Sequence, residues 1–243
     1  MAFKFSLLAL FMLVVYTSSA CCLSVGGNLK HISAGVAYLW GVNKNDQISR
    51  CERPCKNWVK VGGSLMQIDV GDDEVWGVNK ANQIFKMAAD GTGGWRRISG
   101  SLKHVSASGN GYIWGVTKND DIFKCRKPCL GKWIRVGGKL KQIDGGHKYV
   151  YGVNKNNDVF SMRVDGTAGG WRHIPGQKLK YVTASGTNDI FGVSTNNEIF
   201  RCPKPCVQGE FEKMPGKKVE QCEATIDGIF GVSSGYFHTV IGK

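Results

Sequence analysis

From residue 29 onward, apolar and polar positions alternate in short runs separated by glycine, asparagine and aspartate. Leu29-Lys30-His31-Ile32-Ser33-Ala34 alternates with the two-residue period of a strand. Tyr38 to Val42, aromatic and β-branched, predicts a second strand, and Asn43-Lys44-Asn45-Asp46 has the composition of a tight turn. Gln47-Ile48-Ser49-Arg50 predicts a third strand, and Trp58-Val59-Lys60-Val61 a fourth. Gly62-Gly63 then leads to Leu65, where the pattern restarts. No helical periodicity occurs beyond the first residues.

The restarts are regular. Trp-Gly-Val stands at Trp40-Gly41-Val42, Trp76-Gly77-Val78 and Trp114-Gly115-Val116. It returns as Tyr151-Gly152-Val153, Phe191-Gly192-Val193 and Phe230-Gly231-Val232. The six copies are 36, 38, 37, 40 and 39 residues apart. Four short antiparallel strands in a period near 40 residues make a propeller blade, so the expected fold is all-β, a six-bladed β-propeller of four-stranded antiparallel blades.

The sixth copy ends before its fourth strand. Cys22-Leu23-Ser24-Val25-Gly26-Gly27 matches the fourth-strand pattern of Trp58 to Gly63, so the N-terminal strand is expected to complete the last blade and close the ring. The loop before each fourth strand alternates. It is Cys-x-x-Pro-Cys in copies one, three and five, Asp90-Gly91-Thr92-Gly93-Gly94 in copy two, and Asp165 to Gly170 in copy four. A covalent tie and a flexible glycine turn serve the same bend, which points to duplication of a two-blade unit.

The first residues have a different character. Lys4 precedes an apolar run from Phe5 to Tyr16, broken only by Ser6, then Thr17-Ser18-Ser19-Ala20. This reads as a secretory signal over residues 1–20, with one propeller domain over 21–243. The run is shorter than the roughly 20 residues that span a bilayer, so no membrane span is expected. Secretion then interprets the nine cysteines. Cys51 and Cys55, Cys125 and Cys129, and Cys202 and Cys206 are expected as three small disulfide loops. Zinc would need two more ligands per motif, and no histidine is suitably spaced. Of the remaining three, parity suggests Cys22–Cys222. The strand register instead places Cys22 on the outer strand and Cys222 on the inner one, beyond a disulfide's reach of about 7 Å. Cys222 is then a buried thiol, and Cys22 pairs with Cys21 or with another chain.

The formal charge of +13 is spread over every repeat, which solubilises the chain or draws it to anionic surfaces such as lipopolysaccharide or acidic glycans. Two groups of residues could bind a ligand. The tryptophans Trp58, Trp95, Trp133 and Trp171 could stack on sugars, but their periodic placement favours packing between blades. The turns between second and third strands share one end of the ring. Their amides and carboxylates suit a polyhydroxylated ligand: Asn43, Asn45, Asp46, Asn82, Asn119, Asp120, Asn156, Asn157, Asn196 and Asn197. The same residue types are also what tight turns require. Catalytic motifs are absent: the five histidines form no His-Glu-x-x-His pair, and no Gly-x-Ser-x-Gly elbow occurs. No enzyme and no cofactor are expected. Ca²⁺ is the ion that Asp72-Asp73-Glu74 and Asp120-Asp121 would suit, though without an EF-type spacing.

The unit Leu-x-x-Ile-x-Ala-Gly, Trp-Gly-Val-Asn, Ile-Phe, Trp-x-x-Val-x-Gly resembles the tectonin repeat over about residues 22 to 241. Six repeats with a secretory signal look most like the fish-egg lectins and their horseshoe-crab relatives. The resemblance implies a six-bladed propeller that binds N-acetylglucosamine-type sugars and lipopolysaccharide and agglutinates bacteria. The Cys-x-x-Pro-Cys loops and the altered aromatics of copies four to six depart from that pattern. The reading that follows is a secreted, multivalent lectin of innate defence or egg protection. Its partners would be microbial glycans and lipopolysaccharide, not nucleic acid, with a second copy of the chain in a dimer as a further candidate. The rival reading is a structural or protein-binding propeller of an extracellular or egg coat.

Overall fold

The computed structural model describes residues 28–107, 110–166, 169–185, 189–225, 228–233 and 236–242. Among them, strands form six antiparallel sheets arranged as a β-propeller, with no helix. In the first blade, Leu29–Ala34, Tyr38–Asn43, Gln47–Glu52 and Val59–Ser64 pair in chain order from axis to rim. Five blades are complete in this way, rather than the six expected. The last sheet has three strands, Gln221–Ala224, Gly228–Ser233 and Tyr236–Gly242. The segment expected to supply its fourth strand, residues 22–27, lies outside the described residues, as do the expected signal and Cys21 and Cys22.

Burial falls from axis to rim. The inner strand Gln67–Val70 is buried at every position, whereas the outer strand Val59–Ser64 is almost entirely exposed. Each hydrophobic cluster spans two neighbouring blades. Trp40, Val42 and Ile48 of the first blade pack on Leu65, Ile68 and Val75 of the second. The last cluster joins Leu29, Ile32 and Leu39 to Phe230 and Val232, which brings the first and sixth sheets together. The side chain of Gln221 reinforces this junction. It accepts from Ile32 N (3.1 Å) and donates to Ile32 O (2.9 Å).

The Trp-Gly-Val landmark has a packing explanation. Trp40, Trp76 and Trp114 are fully buried between blades. The glycine that follows lies against the first leucine of the inner strand: a Cβ on Gly77 would sit 2.5 Å from Leu65 Cδ1 and 2.9 Å from Gln67 O. The fourth-strand tryptophans also pack between blades. Trp95, Trp133 and Trp171 are half-buried, and their indole N–H groups donate to Gly62 O, Ser99 O and Gly137 O of the preceding blade at 2.8 Å each.

All three disulfides form, with Cα–Cα separations of 5.4 Å for Cys51–Cys55 and 5.5 Å for Cys125–Cys129 and Cys202–Cys206. Each loop carries a cis peptide bond before its proline. Cys222 is a buried free thiol on the inner strand, and burial pushes its pKa up. The alternating glycine loops also have a reason. A Cβ on Gly91 would meet Arg50 Nε at 2.6 Å, and one on Gly166 would meet Lys124 Nζ at 2.5 Å. Even-numbered blades therefore keep glycine where a basic side chain of the preceding blade crosses.

Candidate functional site

The turns between second and third strands ring one face, as expected, and the polar groups of their first and last residues take part in the fold. The first residue of each turn accepts backbone N–H groups: Asn43 Oδ1 from Asn45 N and Gln47 N, and Asn154 Oδ1 from Asn156 N and Asp158 N, all at 2.9 Å. The last residue, Asp46, Asn82, Asp120, Asn157 or Asn197, has φ between 59° and 65°, a conformation for which Asn and Asp are the favoured non-glycine residues. Its carbonyl accepts the N–H that opens the next blade, as from Leu65 to Asp46 and from Val219 to Asn197. A lysine in the inner strand or just before it caps the side chain in four blades: Lys30 on Asp46, Lys103 on Asp120, Lys141 on Asn157 and Lys180 on Asn197. Burial acts to raise the pKa of Asp46, but hydrogen bonds from Lys30 and Lys80 outweigh it and the net shift is downward. Asn45, Asn119, Asn156 and Asn196 sit at exposed or half-exposed mid-turn positions. The ten residues are thus distributed over five separate turns, and none of them lines either of the two cavities of the opposite face. Asp121 is likewise engaged by Arg135 and Lys139, and Glu74 by Lys86.

The opposite face has cavities. One of about 350 Å³ lies between the first two blades, lined by Tyr38, Asp72, Asp73 and Asp90 with the backbone around Gly35 and Ala88. The guanidinium of Arg50 lies 5.3 Å from the Tyr38 ring centroid. Asp90 is held by Thr92, whose N and Oγ1 donate at 2.9 and 2.7 Å, and these bonds keep the carboxyl below its usual range. Part of this unit recurs one blade pair later. Lys124 lies 5.1 Å from the Tyr112 ring and donates to Asp165 O. In the fifth blade the tyrosine position is Asp189, which Arg201 grips through Nε (3.0 Å) and Nη2 (2.6 Å). An ion pair there replaces the aromatic platform, so the combination occurs twice. Stacking the copies would have exposed this pattern, since Tyr38, Tyr112 and Asp189 each stand two residues before the landmark aromatic.

A second cavity, of about 330 Å³, opens on the axis of the same face, lined by Val36, Arg53, Asp72, His147, Glu223 and Thr225 among others. Below it are two layers of inner-strand side chains. The upper layer contains Asp69, Asp144 and Glu223, buried, with carboxylate oxygens within 4.8 Å of one another. Ser33 Oγ and Ala107 N donate to Asp69 at 2.9 and 2.6 Å, and Ser106 Oγ and Ala184 N donate to Asp144 at 3.0 and 2.8 Å. Burial, then the neighbouring carboxylates, push Asp144 up to about 7 and Glu223 well above its usual range. The lower layer contains His31, His104 and Tyr181, whose ring centroids lie 6.0 to 6.2 Å apart. Burial first, then Lys30, lowers His31 to about 3; burial first, then His31 and Lys103, holds His104 well below its usual value.

Among the described residues, six small antiparallel sheets around an axis define a β-propeller. The tectonin domain model matches residues 28–234, and the chain belongs to the tectonin family. No curated protein matches the sequence. Among solved structures, the chain is similar to human WBSCR16 (TM-score 0.61, 11% identity, covering 87% of this chain and 71% of that one). It is also similar to Prp20p from Saccharomyces cerevisiae, a structure described with its binding to Gsp1p and histones (0.60, 12%, 88% and 68%). YCF48 from Cyanidioschyzon merolae gives 0.58, 12%, 91% and 85%. At these identities the likeness is one of fold. Among the described residues, no helix is long and apolar enough to cross a membrane.

Proposed function

We propose that this protein is a secreted, multivalent lectin that binds N-acetylglucosamine-type sugars and lipopolysaccharide on microbial surfaces, in innate defence or egg protection. The observation that carries the reading is the repeated combination of a tyrosine ring and a basic side chain, Tyr38 with Arg50 and Tyr112 with Lys124. In the first groove, carboxylates from Asp72, Asp73 and Asp90 complete it. An aromatic face packs on the C–H face of a pyranose, while carboxylates and cations bond its hydroxyls. Two weak sites on one rigid face become useful when both engage the same surface. Exposed Lys60, Arg97, Arg135 and Lys213 on the outer strands add long-range attraction to anionic lipopolysaccharide and blunt the blade edges.

A glycan array and salt-dependent lipopolysaccharide binding test the reading, and no signal above background in either would end it. Tyr38→Ala and Tyr112→Ala should each weaken sugar binding severalfold. Asn45→Ala and Asn119→Ala, on the opposite face, should leave it unchanged; the reverse outcome would return the site to the turns. A protein-binding role is the second reading, favoured by Val36, an apolar side chain 80% exposed beside both cavities. One stoichiometric partner in a pull-down, undisturbed by free sugar, would support it.

A further inference from the structure

We propose that the two tyrosine grooves select sugars by charge: the groove at Tyr112 takes an anionic saccharide, one bearing a carboxylate or a phosphate ester, and the groove at Tyr38 rejects it. The proposal rests on the reading of these grooves as sugar sites. Both are built on the same backbone. Ala89 N donates to Asp73 O at 2.9 Å in the first, and Val164 N donates to Lys148 O at 3.0 Å in the second. Gly91 N donates to Ala88 O at 2.9 Å, and Gly166 N to Arg163 O at 2.8 Å. These bonds match the grooves position by position. His147 stands in the place of Asp72, Lys148 in that of Asp73, Arg163 in that of Ala88 and Asp165 in that of Asp90.

The exchange inverts the charge. At the first groove the carboxylates of Asp72, Asp73 and Asp90 stand against one guanidinium, that of Arg50, which leaves two negative charges. At the second, Lys124, Lys148 and Arg163 stand against one carboxylate, that of Asp165, which leaves two positive charges with His147 neutral. That carboxylate is itself engaged, because Arg163 Nη2 lies 3.5 Å from Asp165 Oδ2. Asp90 is bonded instead by Thr92 N and Oγ1, which keep it ionised. Asp72, Asp73 and Lys148 are exposed, so their charges meet an incoming ligand directly.

The tyrosine sets where a ligand's charge is felt. Lys124 Nζ lies 5.1 Å from the Tyr112 ring centroid and donates to Asp165 O. An ammonium group has three N–H donors, so others remain for an acceptor on a pyranose packed at the ring. Lys148 and Arg163 add a favourable field for a negative substituent there. In the first groove the same substituent meets Asp72 and Asp73, and like charges repel. Each exposed pair is weak, so the discrimination comes from several charges acting together and amounts to about tenfold at low salt. The differing residues lie at exposed positions, where exchange on a duplicated backbone costs the fold little.

The test titrates the full-length chain with N-acetylglucosamine, glucuronic acid and N-acetylglucosamine 6-phosphate at low and high salt. The neutral sugar should lose part of its binding in Tyr38→Ala and part in Tyr112→Ala. At least one acidic sugar should lose its binding in Tyr112→Ala and keep it within about twofold in Tyr38→Ala. Which of the two responds distinguishes a carboxylate from a phosphate. Lys148→Asp should weaken that sugar about tenfold and leave the neutral one within about twofold, and high salt should do the same in the unmutated chain. Asp72→His/Asp73→Lys, which transfers the second groove's residues to the first, should restore acidic-sugar binding to Tyr112→Ala. An unchanged Tm confirms that these surface variants fold. Neutral-sugar binding at both tyrosines, with acidic sugars held by neither groove or equally by both, would overturn the proposal and leave the lectin reading standing. Failure of every sugar to bind would overturn both.

Discussion

Replacing Gly77 by alanine puts one methyl group where the second blade has no room. The added Cβ would lie 2.5 Å from Leu65 Cδ1 and 2.9 Å from Gln67 O, against a normal separation of about 3.5–4.0 Å between carbons. Leu65 is 2% exposed and cannot swing into solvent, and the carbonyl belongs to the inner strand. Overpacking of this kind costs about 1–3 kcal/mol, which for a chain of this size lowers Tm by roughly 2–12 °C. Gly62→Ala is the matched control. Nothing lies within 4 Å of its Cβ position, and the change should stay within about 0.5 kcal/mol of neutral. Urea melts of both variants give the comparison. A second arm isolates the contact: Leu65→Ala alone should cost about 2–5 kcal/mol, but combined with Gly77→Ala the losses should sum to less than the two separately. Equal midpoints for Gly77→Ala and Gly62→Ala, or strictly additive losses in the double variant, would refute this account of the Trp-Gly-Val motif.

Other outcomes follow from the same geometry. Cys125→Ala/Cys129→Ala opens a loop of sequence separation 4, and the chain-entropy model puts the loss near 2 kcal/mol, readable as a lower urea midpoint. Asp144, with its folded pKa raised to about 7, adds stability at low pH that is lost as pH rises from about 4 to 7, and Glu223 acts in the same direction. His31, lowered to about 3, and His104 act in the opposite direction: their stability is present above about 6.5 and lost as pH falls. These contributions offset each other between about pH 4 and 6.5. The His31→Gln/His104→Gln double variant should therefore gain stability, relative to the unmutated chain, on acidification through that window. A parallel pH profile would show that the imidazoles are not buried neutral.

Much of the architecture was legible before any coordinates. The Trp-Gly-Val period marked the blades because each blade must bury the same faces against its neighbour, and packing of that kind repeats in sequence. The disulfide loops were legible for a related reason: their partners are local. The periodic tryptophans pack between blades, where Trp95, Trp133 and Trp171 bond the preceding blade. The turn amides fitted two readings, and only the lysine caps and left-handed backbone at Asp46, Asp120, Asn157 and Asn197 show how they are employed. Closure between the first and sixth sheets could only be expected, because the Gln221–Ile32 contact joins positions 189 residues apart. The axial acids were visible as Asp69, Asp144 and Glu223 in every second copy, yet in one strand at a time they are ordinary polar residues. Circular closure of the sheets brings three such residues, each from a different blade, to a single axis. Chain order records what each blade contributes; convergence at the centre depends on the angle between blades, which packing alone decides.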